Sequence, residues 1–258
     1  MMKTILKEKL RNGELTIGSW ITIGSSAIAE ILANSGFDWL VVDLEHTTIS
    51  LDQAGEIIRT IDLVGLPALV RLTDNDSNQI KRVMDAGANG IVVPMVNSMD
   101  DAKRAVSATR YAPIGNRGVG LARAQNYGSN FRDHLEWQKD GPVVIVQIEH
   151  QSALNNLTEI FSVPGVDGFI IGPYDLSCSM GIPGEFDRPE FIKAMDDILQ
   201  AGLKVGCPAG LHIVEPDTDR LKKAIREGYR FIAYSVDMRM LDVSARTGVK
   251  IVKEVKSQ

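Results

Sequence analysis

Several residue types and segments are scarce in this chain, and each scarcity excludes a class of protein. Two cysteines among 258 residues make no disulfide framework, and four histidines show no zinc-binding spacing. No apolar run approaches the ~20 residues that cross a bilayer, and charged residues interrupt the N-terminus too early for a signal peptide. A net charge of −5 offers no basic footprint for nucleic acid or an anionic membrane. The sequence therefore predicts a cytoplasmic protein without nucleic-acid or membrane partners.

Eight short apolar runs recur along the chain, and most of them do not alternate with polar residues. Continuous apolar runs indicate parallel strands that are covered on both faces. The predicted strands are 16–23, 39–43, 68–72, 90–95, 143–149, 168–172, 204–208 and 231–236. The helix-like segments are 27–35, 51–63, 75–86, 99–109, 152–161, 190–201, 217–227 and a last helix over 238–256.

The alternation of strands and helices with short connections predicts parallel βαβ units. The chain length also matches the roughly 250 residues of one α/β barrel. A doubly wound open sheet is the alternative, but the first strand is not followed by a Gly-x-Gly-x-x-Gly turn, and eight strands fill a barrel. The sequence therefore predicts one α/β domain over residues 1–258, folded as a (β/α)₈ (TIM) barrel.

One stretch, residues 111–141, shows neither strand nor helix periodicity. A connection of this length in a compact domain is usually functional and often covers the active site. A surface excursion or a contact between subunits is the alternative. Both interpretations stay open at this point.

Acidic residues follow two neighbouring predicted strands, and the carboxyl ends of barrel strands share the face that holds the active site. Glu149 and Asp175 should therefore lie side by side. Two carboxylates with few other ligands suit a hard divalent cation such as Mg²⁺, Mn²⁺ or Co²⁺, which keeps water and accepts substrate oxygens. A pair of solvated acids at the rim is the alternative.

Other polar side chains follow the first three strands. His46 comes three residues after Asp43, and an imidazole near a carboxylate suits a general acid or base. A histidine bonded to backbone at a helix entry is the alternative. Arg71 is positioned to bind a carboxylate or a developing oxyanion, or else to form a salt bridge at the rim. Trp20 either walls the pocket or packs in the core.

The remaining candidates are weaker. His134, His150 and His212 show no partner spacing, so we expect them on the surface or in packing, and Cys207, at the end of the seventh predicted strand, as a small core residue. No lysine follows a predicted strand, because Lys204 opens the seventh strand at the opposite face. A Schiff-base aldolase would need such a lysine, so metal-stabilised enolate chemistry is favoured.

At these residues the sequence resembles the metal-dependent (class II) pyruvate aldolase family, which includes 4-hydroxy-2-oxoheptanedioate aldolase and 2-keto-3-deoxy-L-rhamnonate aldolase. The resemblance runs nearly from end to end. The segments that carry it are 42–46, 69–71, 93–96, 108–111, 115–118, 147–149 and 168–179.

The resemblance implies a phosphoenolpyruvate/pyruvate-type barrel whose last helix is exchanged with a neighbouring subunit, assembled as a hexamer. It implies Glu149 and Asp175 as ligands of a divalent metal ion and Arg71 as the group that stabilises the enolate oxygen. Gln147 would contact the pyruvyl group, and the N–H groups of Tyr174 and Asp175 would bind its carboxylate.

The resemblance also assigns the proton transfer and the pocket walls. His46 would handle the proton of the hydroxyl that becomes the aldehyde, with help from Asp43 and from Asp85 of an adjacent subunit. Trp20 and Leu211 would line the pocket.

The function expected on this basis is reversible cleavage of a 4-hydroxy-2-oxo acid to pyruvate and an aldehyde through a metal-stabilised enolate. The partners would be a small 2-oxo acid and an aldehyde. Tyr174 and His212 depart from the family pattern and motivate one alternative, a citrate-synthase-like enzyme that condenses acetyl-CoA with oxaloacetate for siderophore assembly. A non-catalytic barrel that binds 2-oxo acids is the other.

Overall fold

The computed structural model describes residues 5–256, so the first four and last two residues of the predicted 1–258 domain lie outside the described part. Eight parallel strands pair in chain order, and the last pairs with the first to close a barrel. The strands are β1 Thr16–Ile21, β2 Trp39–Asp43, β3 Ala68–Arg71, β4 Gly90–Val93, β5 Val143–Ile148, β6 Gly168–Ile171, β7 Ala209–Ile213 and β8 Phe231–Val236. The predicted (β/α)₈ barrel is confirmed.

Helices surround the barrel, and in the described residues none is long and apolar enough to cross a membrane. The α-helices are α1 Ile5–Arg11, α2 Ser26–Ala33, α3 Leu51–Val64, α4 Ser77–Asp85, α5 Met99–Thr109, α6 Phe131–Trp137, α7 Leu157–Phe161, α8 Pro173–Ser179, α9 Pro189–Val205, α10 Thr218–Glu227 and α11 Asp237–Lys256. Two 3₁₀ turns, Arg123–Gly128 and Gln151–Asn155, complete the described elements.

Local sequence explains the ends of the helices. The Ser50 hydroxyl accepts from the Gln53 N–H, and the Gln53 side chain accepts from the Ser50 N–H, so α3 begins with a capping box. The helix ends at Gly65, whose φ of 92° lies in the left-handed region that favours glycine. Between these ends, Ala54, Ile57 and Ile61 repeat at helical spacing and are buried against the sheet.

The apolar strand residues form two layers, because alternate side chains along each strand point into the barrel or outward toward the helices. Trp39 and Phe231 stack inside the barrel with ring centroids 3.9 Å apart. A Cβ at Gly18 would lie 2.2 Å from the Trp39 ring, so this glycine makes room for the stack. Residues at the other parity, such as Leu40 and Val42, pack between the sheet and the helices. Because side chains alternate along a strand, this parity decides which residues reach the barrel mouth.

The predicted seventh strand, 204–208, is wrong. Lys204 and Val205 continue the amphipathic helix α9, which ends at Gly206 with φ of 71°. The strand begins only at Ala209 and carries weak strand formers, Ala-Gly, at its start. Cys207 therefore precedes β7 and lies buried at the end of the barrel opposite the strand carboxyl ends.

Residues 111–141 do not cover the mouth of their own barrel. The segment leads from the end of α5 to the start of β5, so it lies at the amino-terminal end of the strands. Arg117 forms an ion pair with Asp85, and Arg123 with Asp62, both at 2.5 Å. The segment also contains a 3₁₀ turn and α6, which the sequence pattern did not reveal. Of the two interpretations left open by the sequence, the loop over the site is therefore wrong for a single chain.

Candidate active site

The carboxyl ends of the strands surround a cavity of about 430 Å³. Most of the predicted polar residues meet there, although strands β1 to β3 and β5 to β7 supply them from distant parts of the sequence. The side chains that line it include Trp20, His46, Arg71, Gln147, Tyr174, Asp175 and His212.

Arg71 is held in place by three groups at the end of β3. Its Nε and Nη2 donate to the two carboxylate oxygens of Asp43 at 2.8 and 2.7 Å. Its Nη1 lies 3.0 Å from the Glu45 carboxylate, and its guanidinium lies 4.4 Å above the Trp20 ring. The Asp43 side chain is only 2% exposed, so this fork-to-fork pair is largely removed from water. The structure thus places Asp43 against Arg71 rather than against His46.

Glu45 is the carboxylate beside His46, with 3.7 Å between its Oε2 and the His46 Nε2. Burial raises the pKa of Glu45 to about 7, neighbouring carboxylates act in the same direction, and Arg71 opposes them. His46 itself is well exposed. Sequence analysis did not single out Glu45, although its place between Asp43 and His46 at a strand end was the available signal.

Glu149 is buried at the end of β5 and bonded on both oxygens. Its Oε1 accepts from the Met95 N–H at 2.6 Å, and its Oε2 accepts from the Gln147 side-chain amide. Burial raises the pKa of Glu149, and the nearby negative charge of Asp175 adds to that effect. A Cβ at Gly172 would lie 2.7 Å from the Glu149 Oε2. Only glycine at that position leaves room for the carboxylate.

Asp175 lies in the first turn of α8, after Pro173 at the first helical position. Gly172 caps this helix without a side-chain hydrogen bond, so the cap supplies no side-chain acceptor for the first N–H groups. Asp175 is exposed toward the cavity it lines. Tyr174 is also exposed and packs edge-on against Phe186, with ring centroids 5.0 Å apart.

These oxygen donors fit a hard divalent cation. In residues 5–256 no group of three or more His, Cys, Asp or Glu side chains forms a closed metal site. Glu149 and Asp175 alone supply two carboxylates whose mutual repulsion a cation would relieve. Ions such as Mg²⁺ are bound in this way by one or two carboxylates while water and substrate complete the coordination.

Four predicted site residues are not among those that line the cavity within one chain. Asp43 and Glu149 border it through their bonds to Arg71 and Gln147, whereas Leu211 and Asp85 do not reach it. Leu211 points outward from β7 and packs in the layer between sheet and helices, because strand side chains alternate. The expectation that Leu211 lines the cavity is therefore wrong, and its inward neighbour His212 lines it. Asp85 ends α4 at the far end of the barrel, where Arg117 pairs with it.

His212, expected on the surface or in packing, does pack against another ring, and it also lines the cavity. Its ring stacks on Trp20 with centroids 5.1 Å apart and an interplanar angle of 23°. The sequence marked His212 as a departure from the family pattern but did not place it at the cavity, because the bounds of β7 were misplaced. His134 does lie in packing, buried beside Tyr111 and Trp137.

Solved structures share the fold of this chain. An HpcH/HpaI aldolase/citrate lyase family protein from Burkholderia cenocepacia J2315 superposes with a TM-score of 0.91 and 34% identity, covering 97% of this chain and 99% of that one. The citrate synthase SbnG is 24% identical with a TM-score of 0.85, covering 98% and 99%. At that identity the likeness shows the fold alone.

Sequence comparison gives named relatives. A 2-keto-3-deoxy-L-rhamnonate aldolase of Escherichia coli O17:K52:H18 is 37% identical, covering 90% of this chain and 86% of the relative. A hydroxypyruvate/pyruvate aldolase of Sagittula stellata is also 37% identical, covering 94% and 95%. These names confirm the predicted resemblance and the class of carbon–carbon lyase. Residues 16–242 match the family described as HpcH/HpaI aldolase/citrate lyase, and the chain belongs to that family.

Proposed function

We propose that this chain is a metal-dependent aldolase that reversibly cleaves a 4-hydroxy-2-oxo acid to pyruvate and an aldehyde. One observation carries the proposal: the Glu149 and Asp175 carboxylates and the Arg71 guanidinium line or border the same cavity. This arrangement provides a place for a cation and a fixed positive charge beside it. The similarity to a 2-keto-3-deoxy-L-rhamnonate aldolase and to a hydroxypyruvate/pyruvate aldolase supports this assignment.

Glu149 and Asp175 would hold the divalent metal ion, which is Mg²⁺, Mn²⁺ or Co²⁺ on the chemistry of the donors. When bound, such a cation supplies electrostatic stabilisation of negative charge on the oxygen atoms of the 2-oxo acid. The Gly172 position, which lacks a Cβ, and the Met95 N–H keep the Glu149 carboxylate at the cavity.

Arg71 stabilises the charge that develops on the carbonyl oxygen as the bond between C3 and C4 breaks. Asp43 and Glu45 fix its guanidinium before the reaction, so little reorganisation is needed. The interaction is stronger here than in water because the surroundings have a lower dielectric constant. Gln147 contacts the pyruvyl group.

The substrate carboxylate binds to the N–H groups of Tyr174 and Asp175 at the start of α8. These donors have no side-chain cap from Gly172, and the positive end of a helix favours an anion.

His46 removes the proton from the C4 hydroxyl in the cleavage direction, and the enolate takes up a proton at C3 to leave as pyruvate. In the addition direction C3 of pyruvate loses a proton, and His46 returns one to the new C4 hydroxyl. The adjacent Glu45 carboxylate stabilises the protonated imidazole. Asp85 of a neighbouring subunit is proposed for the same step, since it lies too far away within its own chain.

An imine mechanism needs a lysine beside the substrate. Among residues 5–256, no lysine lines the cavity. The buried Lys7 lies at the opposite end of the barrel, 2.9 Å from Asp167 and 2.7 Å from the Pro142 carbonyl. Both contacts tie its ammonium group to the scaffold.

The quaternary arrangement is part of the proposal. The start of helix α11 is anchored to the barrel: Asp237 accepts from the N–H groups of Thr22 and Ile23 at 2.9 and 2.8 Å, and Arg239 pairs with Glu215 at 2.7 Å. Beyond this anchor, its apolar side chains Leu241, Val249, Ile251, Val252 and Val255 are all more than half exposed. We propose that a neighbouring subunit covers them through exchange of this helix in a hexamer. Light scattering of the full chain, compared with Val252→Glu, tests this arrangement.

The activity is tested with pyruvate and an aldehyde after metal removal by EDTA and addition of Mg²⁺, Mn²⁺ or Co²⁺. Glu149→Ala and Asp175→Ala should lose metal-dependent turnover. Glu136→Ala, an exposed acid on α6, is the matched control and should keep it. Wild-type rates with unchanged metal dependence in either site variant would refute this site. Thiol release from acetyl-CoA with oxaloacetate would point to a condensing enzyme.

A further inference from the structure

One wall of the cavity is built from stacked planar groups rather than from carboxylates. The His212 ring lies on Trp20, and the Arg71 guanidinium lies over Trp20, 4.4 Å from its ring centroid. These residues come from β7, β1 and β3, whereas Glu149 and Asp175 follow β5 and β6. If the 2-oxo acid binds beside Glu149 and Asp175, the wall formed by Trp20 and His212 faces the aldehyde half, the part of the substrate that becomes the aldehyde.

The tautomer of His212 follows from its contact with the backbone. Its Nε2 lies 3.1 Å from the carbonyl oxygen of Ser235. A carbonyl only accepts, so this nitrogen carries the proton. Burial lowers the pKa of His212 to about 4, so the ring is neutral near pH 7. Its Nδ1 is then an acceptor, and in the described part of the chain no side chain or backbone group bonds to it.

The backbone holds this ring orientation. Ser235 has φ of 56°, and the register between β1 and β8 shifts at this point. Such bulges re-aim groups beside active sites. The Ser235 carbonyl also accepts from the Ser19 hydroxyl at 3.3 Å, and the Ser235 hydroxyl donates to the Val214 carbonyl at 3.0 Å. The imidazole is therefore fixed by stacking on one side and by an anchored carbonyl on its edge.

We infer that His212 sets the aldehyde specificity, with Nδ1 accepting a hydrogen bond from a hydroxyl group on the aldehyde half. On this inference the site distinguishes an aldehyde that carries such a hydroxyl from one that carries a methyl group in its place. This inference rests on the proposed aldolase function. An aldehyde with a methyl group in place of that hydroxyl leaves the acceptor unpaired in a partly buried site, which is costly.

The test compares glycolaldehyde with propionaldehyde, which has a methyl group where glycolaldehyde has its hydroxyl. Addition of pyruvate to each is measured with Mn²⁺ for the wild type and for His212→Phe, which keeps a ring on Trp20 but has no acceptor. Each rate is divided by the same protein's rate of exchange of pyruvate C3 protons with D₂O. For each protein, kcat/KM for glycolaldehyde is divided by kcat/KM for propionaldehyde. Comparing this ratio between the wild type and the variant cancels the intrinsic reactivity of the two aldehydes.

We expect the ratio to fall roughly 5- to 10-fold in His212→Phe, the value of one hydrogen bond. His212→Leu repeats the comparison if the phenylalanine variant does not fold. An unchanged ratio in a folded variant that still exchanges C3 protons overturns the inference alone. Absence of metal-dependent exchange in the wild type overturns the proposed function, and the inference falls with it.

Discussion

Asp43 should act on the reaction through Arg71 rather than through His46, and Asp43→Asn tests this. The wild-type carboxylate accepts two bonds from the guanidinium, at 2.8 and 2.7 Å. Asparagine keeps one oxygen and turns an N–H₂ donor toward a guanidinium N–H, so one bond is lost. Hydrogen bonds to charged groups contribute about 1.5–3 kcal/mol, and Glu45 still holds the guanidinium at Nη1. We therefore expect a loss of about 2 kcal/mol in transition-state stabilisation, a rate about 30-fold lower.

The assay is exchange of pyruvate C3 protons with D₂O at saturating metal, measured in a double-mutant cycle with Arg71→Met. If Asp43 works by positioning Arg71, adding Asp43→Asn to Arg71→Met should not slow exchange further. Urea unfolding of each variant separates loss of fold from loss of rate. A second 30-fold loss in the Arg71→Met background would refute the reasoning, because Asp43 would then act on the substrate or on His46.

Two further predictions concern the same mouth of the barrel. Gly172→Ala should push the Glu149 carboxylate aside, since the new Cβ would lie 2.7 Å from its Oε2, and should raise the Mg²⁺ concentration for half activation about 10-fold or more. Gly55→Ala is the control, because a Cβ added at Gly55 would meet no neighbouring group within 4 Å. Equal Mg²⁺ requirements in both variants would contradict the role of Gly172 in making room for the Glu149 carboxylate. Glu45→Gln concerns pH. The folded protein raises the pKa of Glu45 from 4.5 to about 7, so the native state binds this proton more tightly and stability falls as pH rises through that interval. Relative to Glu45→Gln, the free energy of unfolding of the metal-free wild type should fall by up to about 3 kcal/mol between pH 4.5 and 7, and a difference that does not vary with pH in urea unfolding would contradict the assignment.

The barrel and the convergence of its strand ends were predictable, because continuous apolar runs and parity need only local sequence. Arg71 follows directly from this logic: it is the inward residue at the end of β3. Strand β7 was not predictable, because Lys204 and Val205 satisfy the period of α9 and its true start is Ala-Gly. For that reason His212 was recognised only as a departure from the family pattern and was not placed at the cavity.

Other features needed three-dimensional packing. The sequence places Asp43, Glu45 and His46 together, but rotamers decide that Asp43 pairs with Arg71 while Glu45 faces His46. The position of residues 111–141 is different, since topology could have predicted it. A segment that leaves the end of a helix and enters a strand lies at the amino-terminal end of the barrel, away from the mouth of its own chain.

The most direct test of the central claim is the loss of the pyruvate methyl proton signal in D₂O, followed by NMR. The account predicts exchange with Mg²⁺, Mn²⁺ or Co²⁺, none with EDTA, and none above background in Glu149→Gln with any of these ions. Glu136→Gln, the exposed matched control, should exchange like the wild type. Equal exchange with and without metal, or no exchange with any of the three ions, would contradict an enolate-forming site at Glu149 and Asp175.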